Sequence, residues 1–164
     1  MDRMKLAIIC HFSTSQIREE LELVDASHCS YRDFGLWNVN IIDGLKNRDD
    51  IELHVISPHR GMKRPTQEFS LENVNYHFFW KELPRPWEQL EFYLCSQVKR
   101  HYSRNRRYVR RFIKNIKPDL VNLIGAENPY YSITALDIKD IPVIIHCQTV
   151  YANPDRIKNT GKMD

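Results

Sequence analysis

Apolar residues follow two patterns along this chain. Short apolar runs alternate with segments in which apolar residues recur every three or four positions. Short apolar runs rich in β-branched residues predict strands, and uninterrupted runs predict central strands of a parallel sheet that are buried on both faces. The predicted strands are Lys5–Cys10, Ile51–Ser57, Val74–Trp80, Asp119–Gly125 and Asp140–Cys147. Apolar residues three and four positions apart predict helices between them. The predicted helical segments are Gln16–Val24, Phe34–Lys46, Pro86–Ile116 and Pro129–Leu136.

Prolines and polar stretches set the predicted ends of these elements. Pro58 is predicted to end the second strand, because proline lacks the amide hydrogen that a strand interior uses. Arg60–Phe69 is predicted to be a loop. Ser103–Arg107 contains no apolar residue, so we expect a kink or break there within the long helical pattern. Pro118 ends that pattern, since the residue before a proline disfavours helix.

Strands that alternate with helices predict an α/β fold with a mainly parallel sheet and right-handed crossovers. We expect residues 1–164 to form a single Rossmann-like domain, a three-layer sandwich with helices on both faces of the sheet. Ligands bind such sheets at the carboxyl ends of the strands. Three segments are therefore predicted to meet around one crevice: Cys10–Ser15 with the loop to Gly35, Gly125–Tyr131 and His146–Tyr151.

The composition, with 42 % hydrophobic and 27 % charged residues, is that of a folded globular protein. No apolar run approaches the roughly 20 residues of a membrane span. The amino terminus also lacks the roughly 7–15 consecutive apolar residues of a signal peptide, so we expect a cytoplasmic protein. The cysteines Cys10, Cys29, Cys95 and Cys147 follow no zinc-type or Cys-x-x-Cys spacing, which predicts free reduced thiols.

Positive charge is concentrated in one segment, residues 99–117, which holds nine Lys or Arg and no Asp or Glu. The rest of the chain carries 15 basic and 21 acidic residues. A solvated helix face would explain the pattern, and so would a surface for an anionic partner. Anionic phospholipid and nucleic acid both fit, since Tyr102 and Tyr108 suit a membrane interface or stacked bases. The residues predicted to form this surface are Arg104, Arg107, Arg110, Arg111 and Lys114.

Signatures of tightly bound cofactors are missing from the predicted crevice. The segment after the first strand, Cys10–Ser15, contains no glycine, unlike the dinucleotide and phosphate-binding loops. The first strand also ends without a pair of acidic residues, and no histidine or carboxylate pair has a metal-ligand spacing. We therefore expect neither a metal nor a resident cofactor.

Polar side chains at the predicted strand ends are the candidate binding groups. His146 and Gln148 follow the last strand and His11 follows the first. Glu127 and Asn128 open a predicted helix, where backbone amides favour an anion or a sugar hydroxyl. Each histidine could instead be a hydrogen-bonded rim residue, and Glu127 could simply complement the helix dipole.

The order of these segments resembles the amino-terminal half of GT-B glycosyltransferases of the large retaining family four. The resemblance runs from Met4 to about Pro154. Lys117–Leu123 is similar to the family's K-P-D-[IV]-[IV]-H segment, and Ile141–Ile145 is similar to its I-P-V-[IV] segment. Further matching segments are Met4–Ile9, Ile41–Leu45 and Glu52–Ser57.

This resemblance implies the acceptor-binding domain of an enzyme that transfers a sugar from a nucleotide sugar, without a metal, to a polysaccharide or lipid-linked acceptor. In that family a second domain, absent from these 164 residues, binds most of the nucleotide sugar. We therefore expect no transfer by this half alone. Many such enzymes are peripheral membrane proteins, which agrees with the basic segment.

Eight residues are predicted to line the acceptor cleft, with aromatic rings stacked on sugar faces and polar groups bound to hydroxyls. They are Phe34, Gly35, Trp37, Glu127, Asn128, Tyr130, His146 and Gln148. The chain departs from the family at three of them. Gly35 stands where the family has a Gly-Gly pair, Gln148 falls on the family's histidine, and His146 falls on its threonine.

Two other interpretations use the same residues. A nucleic-acid-binding Rossmann-like module would bind through residues 99–117. A stand-alone nucleotide- or flavin-binding domain would use the crevice, although the glycine-poor turn after the first strand argues against it.

Overall fold

Six strands form one sheet within the part of the chain that the computed structural model describes, residues 3–23, 33–81 and 101–147. The strands are β1 (Met4–Ile9), β2 (Ile51–His59), β3 (Thr66–Leu71), β4 (Val74–Trp80), β5 (Leu120–Ile124) and β6 (Val143–His146). The helices are α1 (Ser15–Glu20), α2 (Leu36–Leu45), α3 (Ser103–Ile116) and α4 (Pro129–Ser132), followed by a 3₁₀ helix, Ile133–Asp137.

The strand order is β3-β4-β2-β1-β5-β6, and every neighbouring pair is parallel except β3 and β4. The chain winds outward from β1 through β2 to β4, and then begins again at β5 on the other side of β1. The five parallel strands therefore have the order found for the first five strands of a doubly wound nucleotide-binding sheet. The predicted α/β class with a mainly parallel sheet is confirmed, and the topology is consistent with a Rossmann-like fold.

Helices cover both faces of the sheet because successive side chains of β1 point to opposite faces. Ile8 packs on one face in a cluster with Ile17 of α1 and Ile42 of α2. Ile9 packs on the other face in a cluster with Phe112 of α3. β1 is thus buried on both sides, as its continuous apolar sequence predicts.

Helix α3 is continuous over Ser103–Ile116 and begins after His101 and Tyr102, which have left-handed backbone angles, so the predicted break lies just before Ser103–Arg107 and not within that segment. Asn105, fully buried, takes the inward position that an apolar residue would occupy. Its amide donates to the Tyr130 carbonyl oxygen at 2.9 Å. A buried side-chain hydrogen bond thus holds the first turn in place of apolar contact. The rest of the helical pattern, from Pro86 to residue 100, lies outside the described residues.

Two predictions for the β2–β4 region are also wrong. Pro58 lies inside β2, which continues to His59. β1 pairs with β2 only as far as Ile56, so Pro58 needs no amide hydrogen on that side. The predicted loop Arg60–Phe69 contains the start of β3, which pairs antiparallel with β4. An edge strand exposes much of its length, and its apolar alternation is correspondingly weak.

The helix predicted at Pro129–Leu136 is an α-helix only as far as Ser132 and then becomes a 3₁₀ helix. The Thr134 hydroxyl donates to the Tyr131 carbonyl at 2.6 Å, a bond from side chain to backbone that competes with regular helical pairing. No helix in the described residues is long and apolar enough to cross a membrane.

Candidate functional site

The carboxyl ends of β1 and β5 lie side by side where the winding of the sheet reverses, and sheets of this kind bind ligands at such a point. The loop after β1 places His11 there, and the loop after β5 places Tyr130. The Tyr130 hydroxyl lies 2.7 Å from Nδ1 of His11. This contact joins two predicted crevice segments, and we call its surroundings the carboxyl-edge site: His11, Ser13, Phe34, Gly35, His59, Lys81 and Tyr130.

His11 is an uncharged hydrogen-bonding group at neutral pH. Burial lowers its pKa to about 3, and the positive charges of Lys81 and Arg60 act in the same direction. The Phe34 ring meets the imidazole edge-on, with centroids 4.6 Å apart. A neutral imidazole between aromatic rings suits a polar, uncharged ligand such as a sugar hydroxyl.

Gly35 lets the loop before α2 approach β1 closely. Its φ is +69°, and a β-carbon there would stand 2.6 Å from the His11 carbonyl oxygen and 2.9 Å from Cβ of Phe12. The Asn38 side chain, one turn into α2, donates to that same carbonyl at 3.0 Å. Close approach and hydrogen bonding therefore fix the start of α2 against the loop that carries His11.

A second histidine of the site lies at the carboxyl end of β2. The Arg60 carbonyl can only accept, so Nδ1 of His59 carries a hydrogen and donates to it at 2.5 Å. Burial lowers the pKa of His59, so at neutral pH its Nε2 is an acceptor. The Ser13 hydroxyl then donates to Nε2 at 3.1 Å and accepts from Arg18 at 3.2 Å. Ser13 and His59 are almost completely buried, which makes this chain a support for the β1 loop.

Cationic side chains surround the two neutral histidines. The Lys81 ammonium lies 4.2 Å from the centre of the Tyr130 ring, a cation–π contact. Arg18 forms an ion pair with Asp33 at 3.0 Å. Positive charge with aromatic surface suits a ligand that carries both sugar and anionic groups.

Of the eight predicted cleft residues, the structure brings Phe34, Gly35 and Tyr130 together around His11. Trp37, about half exposed, lies in the first turn of α2, two residues beyond Gly35. Glu127 lies in the loop between β5 and α4 and is partly buried.

The other three predicted residues have different positions. Asn128 precedes α4, but no side-chain bond caps that helix, and a single turn offers little dipole for an anion. His146 is exposed, and its carbonyl accepts from the amides of Gly125 and Ala126 at 2.9 and 3.3 Å. Its backbone thus braces the loop after β5. Gln148 lies outside the described residues.

Sequence reasoning did not single out Ser13, Arg18, His59 and Lys81. His59 could have been found from its position at the carboxyl end of β2, but the sequence prediction ended that strand before Pro58. Lys81 follows β4 directly and would have been found by the same rule on strand ends. Ser13 and Arg18 acquire their roles only through contacts with other segments, so no local pattern identifies them.

Helix α3 carries exposed cations on the side opposite its buried residues. Arg107, Arg110, Arg111 and Lys114 are exposed and fall on one face of the helix, and we call them the α3 basic face. Arg104 is partly buried and donates to the Lys81 carbonyl at 3.4 Å, so it also links α3 to the carboxyl-edge site.

Within the described residues, no group of three or more His, Cys, Asp or Glu side chains could hold a metal ion.

Comparison with protein-family models, with curated proteins and with solved structures finds no match to this chain.

Acidification is expected to destabilise the fold through His11. The pKa of His11 is lowered in the folded state, so the unfolded chain takes up a proton at a higher pH than the folded domain does. The stability that depends on neutral His11 is therefore lost as the pH falls below about 6.5, the ordinary pKa of histidine. Between pH 7 and pH 5 the free energy of unfolding should fall by about 2 kcal/mol more in the wild type than in the His11→Gln variant. Urea unfolding of both proteins at each pH measures the difference, and equal losses would show that His11 is not buried in its neutral form.

Proposed function

We propose that this domain binds the acceptor of a glycosyltransferase at the carboxyl-edge site. The contact between His11 and Tyr130, made across the point where the winding reverses, carries the proposal. It supports the proposal because it places aromatic faces and neutral hydrogen-bonding groups where sheets of this class bind ligands. The acceptor would be a polysaccharide or a lipid-linked saccharide.

The carboxyl-edge site and the two predicted cleft residues beside it in the sequence, Trp37 and Glu127, each have a role in this proposal. Phe34 and Trp37 offer exposed aromatic faces for the apolar side of a sugar ring. Neutral His11 and the Glu127 carboxylate bind hydroxyl groups. Lys81, beside Tyr130, interacts with a phosphate or carboxylate of the acceptor. The transferred sugar would come from a nucleotide sugar bound mainly by a second domain, as in the enzymes that the sequence resembles.

Acceptor use is expected to depend on Trp37 and Glu127. In an enzyme that contains both domains, Trp37→Ala and Glu127→Ala should each lower kcat/KM for the acceptor roughly tenfold, about 1.4 kcal/mol. The Tm of each variant should stay near that of the wild type.

Leu136→Ala is the matched control, because Leu136 is even more exposed than Trp37, at 71 % against 53 %, and is not one of the eight predicted cleft residues. It should leave kcat/KM unchanged. Unchanged kinetics in both Trp37→Ala and Glu127→Ala would exclude this acceptor site.

We also propose that the α3 basic face binds an anionic membrane. A lipid-linked acceptor is presented at such a surface, and each Lys or Arg near an anionic leaflet contributes about 1 kcal/mol. The face stands opposite the residues that anchor α3 in the core, so it can meet a membrane without disturbing the fold.

A further inference from the structure

Two buried histidines on neighbouring strands contact each other beneath α3, away from the carboxyl-edge site. Nδ1 of His54 in β2 lies 3.0 Å from Nε2 of His77 in β4. The outer nitrogen of each ring meets a carboxylate. His54 Nε2 is 2.9 Å from Glu52, and His77 Nδ1 is 2.7 Å from Glu68 of β3. The four side chains form a continuous chain across three strands, which we call the histidine pair chain.

The three contacts of the histidine pair chain need more hydrogens than two neutral imidazole rings carry. An ionised carboxylate only accepts, so each outer contact needs a hydrogen on its imidazole. Two neutral imidazoles carry one hydrogen each, and the outer contacts use both. The inner nitrogens of His54 and His77 would then present two lone pairs to each other at 3.0 Å. A third hydrogen converts that contact into a hydrogen bond.

We infer that His54 and His77 share one additional proton between their inner nitrogens, forming a pH-sensitive clamp between β2 and β4. With the proton bound, three hydrogen bonds join Glu52, His54, His77 and Glu68 in series. Without it, the inner contact opens because the two lone pairs repel each other.

Neighbouring groups define the electrostatic setting of the clamp. Phe112 of α3 lies against His77, with ring centroids 5.3 Å apart. Arg111 of α3 donates to Thr66 at 3.0 Å, two residues before Glu68 on β3. On β1, Lys5 is the register partner of Glu52. The carboxylates of Glu52 and Glu68 are the negatively charged ends of the chain.

Partial exposure of those carboxylates gives the proton a path to solvent. The Glu52 and Glu68 side chains are 37 % and 48 % exposed, whereas those of His54 and His77 are only 10 % and 11 % exposed. Glu52 also lines an open cleft at the amino ends of β1 and β2. The proton can therefore exchange with solvent through either end, although the two imidazole rings are themselves almost completely enclosed.

The direction of titration follows from burial. Burial lowers the pKa of His77, and the hydrogen bond and charge of Glu68 oppose this in part. The additional proton should therefore leave at a pH below about 6.5, the ordinary value for histidine. The clamp is closed on the acid side of that midpoint and open on the alkaline side.

Nitrogen-15 NMR of the histidine rings between pH 4 and pH 8 tests the clamp, with exposed His101 and His146 as internal references. The ring nitrogens of His54 and His77 should titrate together, with one midpoint and one proton for the pair. Glu68→Gln removes a negative charge and should lower that midpoint by about one pH unit. Glu72→Gln, a change of the same type on the β3–β4 turn, should leave it unchanged.

Three results would overturn the inference. Separate midpoints for the two rings would mean that no proton is shared. Two neutral rings throughout the range would mean that the inner contact never receives its proton. Stoichiometric binding of Zn²⁺ at pH 7, with both inner nitrogens shifted, would show that the contact is a metal site.

Discussion

Replacing the four residues of the α3 basic face with glutamine is expected to lower binding to anionic vesicles about a thousandfold. The substitutions are Arg107→Gln, Arg110→Gln, Arg111→Gln and Lys114→Gln. Each removes about 1 kcal/mol of attraction to an anionic leaflet, and four together remove about 4 kcal/mol. The fold should persist, because α3 is anchored by Val109, Phe112, Ile113 and Ile116 on its opposite side.

Cosedimentation with vesicles measures this effect, using phosphatidylcholine alone and phosphatidylcholine mixed with phosphatidylglycerol. The wild type should bind only the mixed vesicles, and binding should weaken as salt is added. The control is a variant with the same loss of charge elsewhere on the exposed surface, namely Arg3, Lys63, Arg64 and Lys139 replaced by glutamine.

Equal losses in the two variants would mean that net charge, and not the α3 basic face, determines vesicle binding. If the wild type binds single-stranded RNA but does not bind anionic vesicles, the result would favour the nucleic-acid interpretation. In that case log K should fall with log salt by about 0.7 for each phosphate contact.

Gly35→Ala is expected to destabilise the domain by about 3 kcal/mol. The left-handed backbone of Gly35, with φ of +69°, costs an alanine roughly 1–2 kcal/mol. The added β-carbon would also meet the His11 carbonyl oxygen at 2.6 Å, a backbone atom that cannot move aside cheaply. Relieving such a contact costs typically 1–3 kcal/mol.

Gly44→Ala is the matched control, since Gly44 lies in α2 and a β-carbon there meets nothing within 4 Å. Alanine has the higher helix propensity, so this variant should gain about 0.5–1 kcal/mol. Urea unfolding of the two variants should therefore differ by about 4 kcal/mol. Similar unfolding midpoints would mean that the loop before α2 does not approach β1 as described.

The central strands could be predicted from the sequence because burial on both faces leaves a continuous apolar run. β1 shows this directly, and β5 shows it with one interruption, at Asn122. The rule on carboxyl strand ends then indicated the segments after β1 and β5 that contain His11 and Tyr130. The edge strand β3 could not be predicted in the same way, since its sequence TQEFSL carries only two large apolar residues.

The polar interior of the domain could be predicted least. Asn105 lies in a polar stretch, and its burial depends on the Tyr130 carbonyl, which lies 25 residues away in the sequence. His54 and His77 lie in predicted strands, but whether their rings touch depends on the β2–β4 register. Such contacts depend on how the strands pair, and the local spacing of residues in the sequence does not indicate that pairing.

Binding of a saccharide acceptor at the carboxyl-edge site can be measured by NMR titration of the ¹⁵N-labelled domain. The probes are methyl glycosides of common hexoses and the corresponding uronic acids. We expect saturable shifts of the Trp37 indole and of the amides of Phe34, Gly35 and Glu127, with unshifted signals for the amino ends of the strands. Shifts confined to another surface, or none with any glycoside at tens of millimolar, would contradict it.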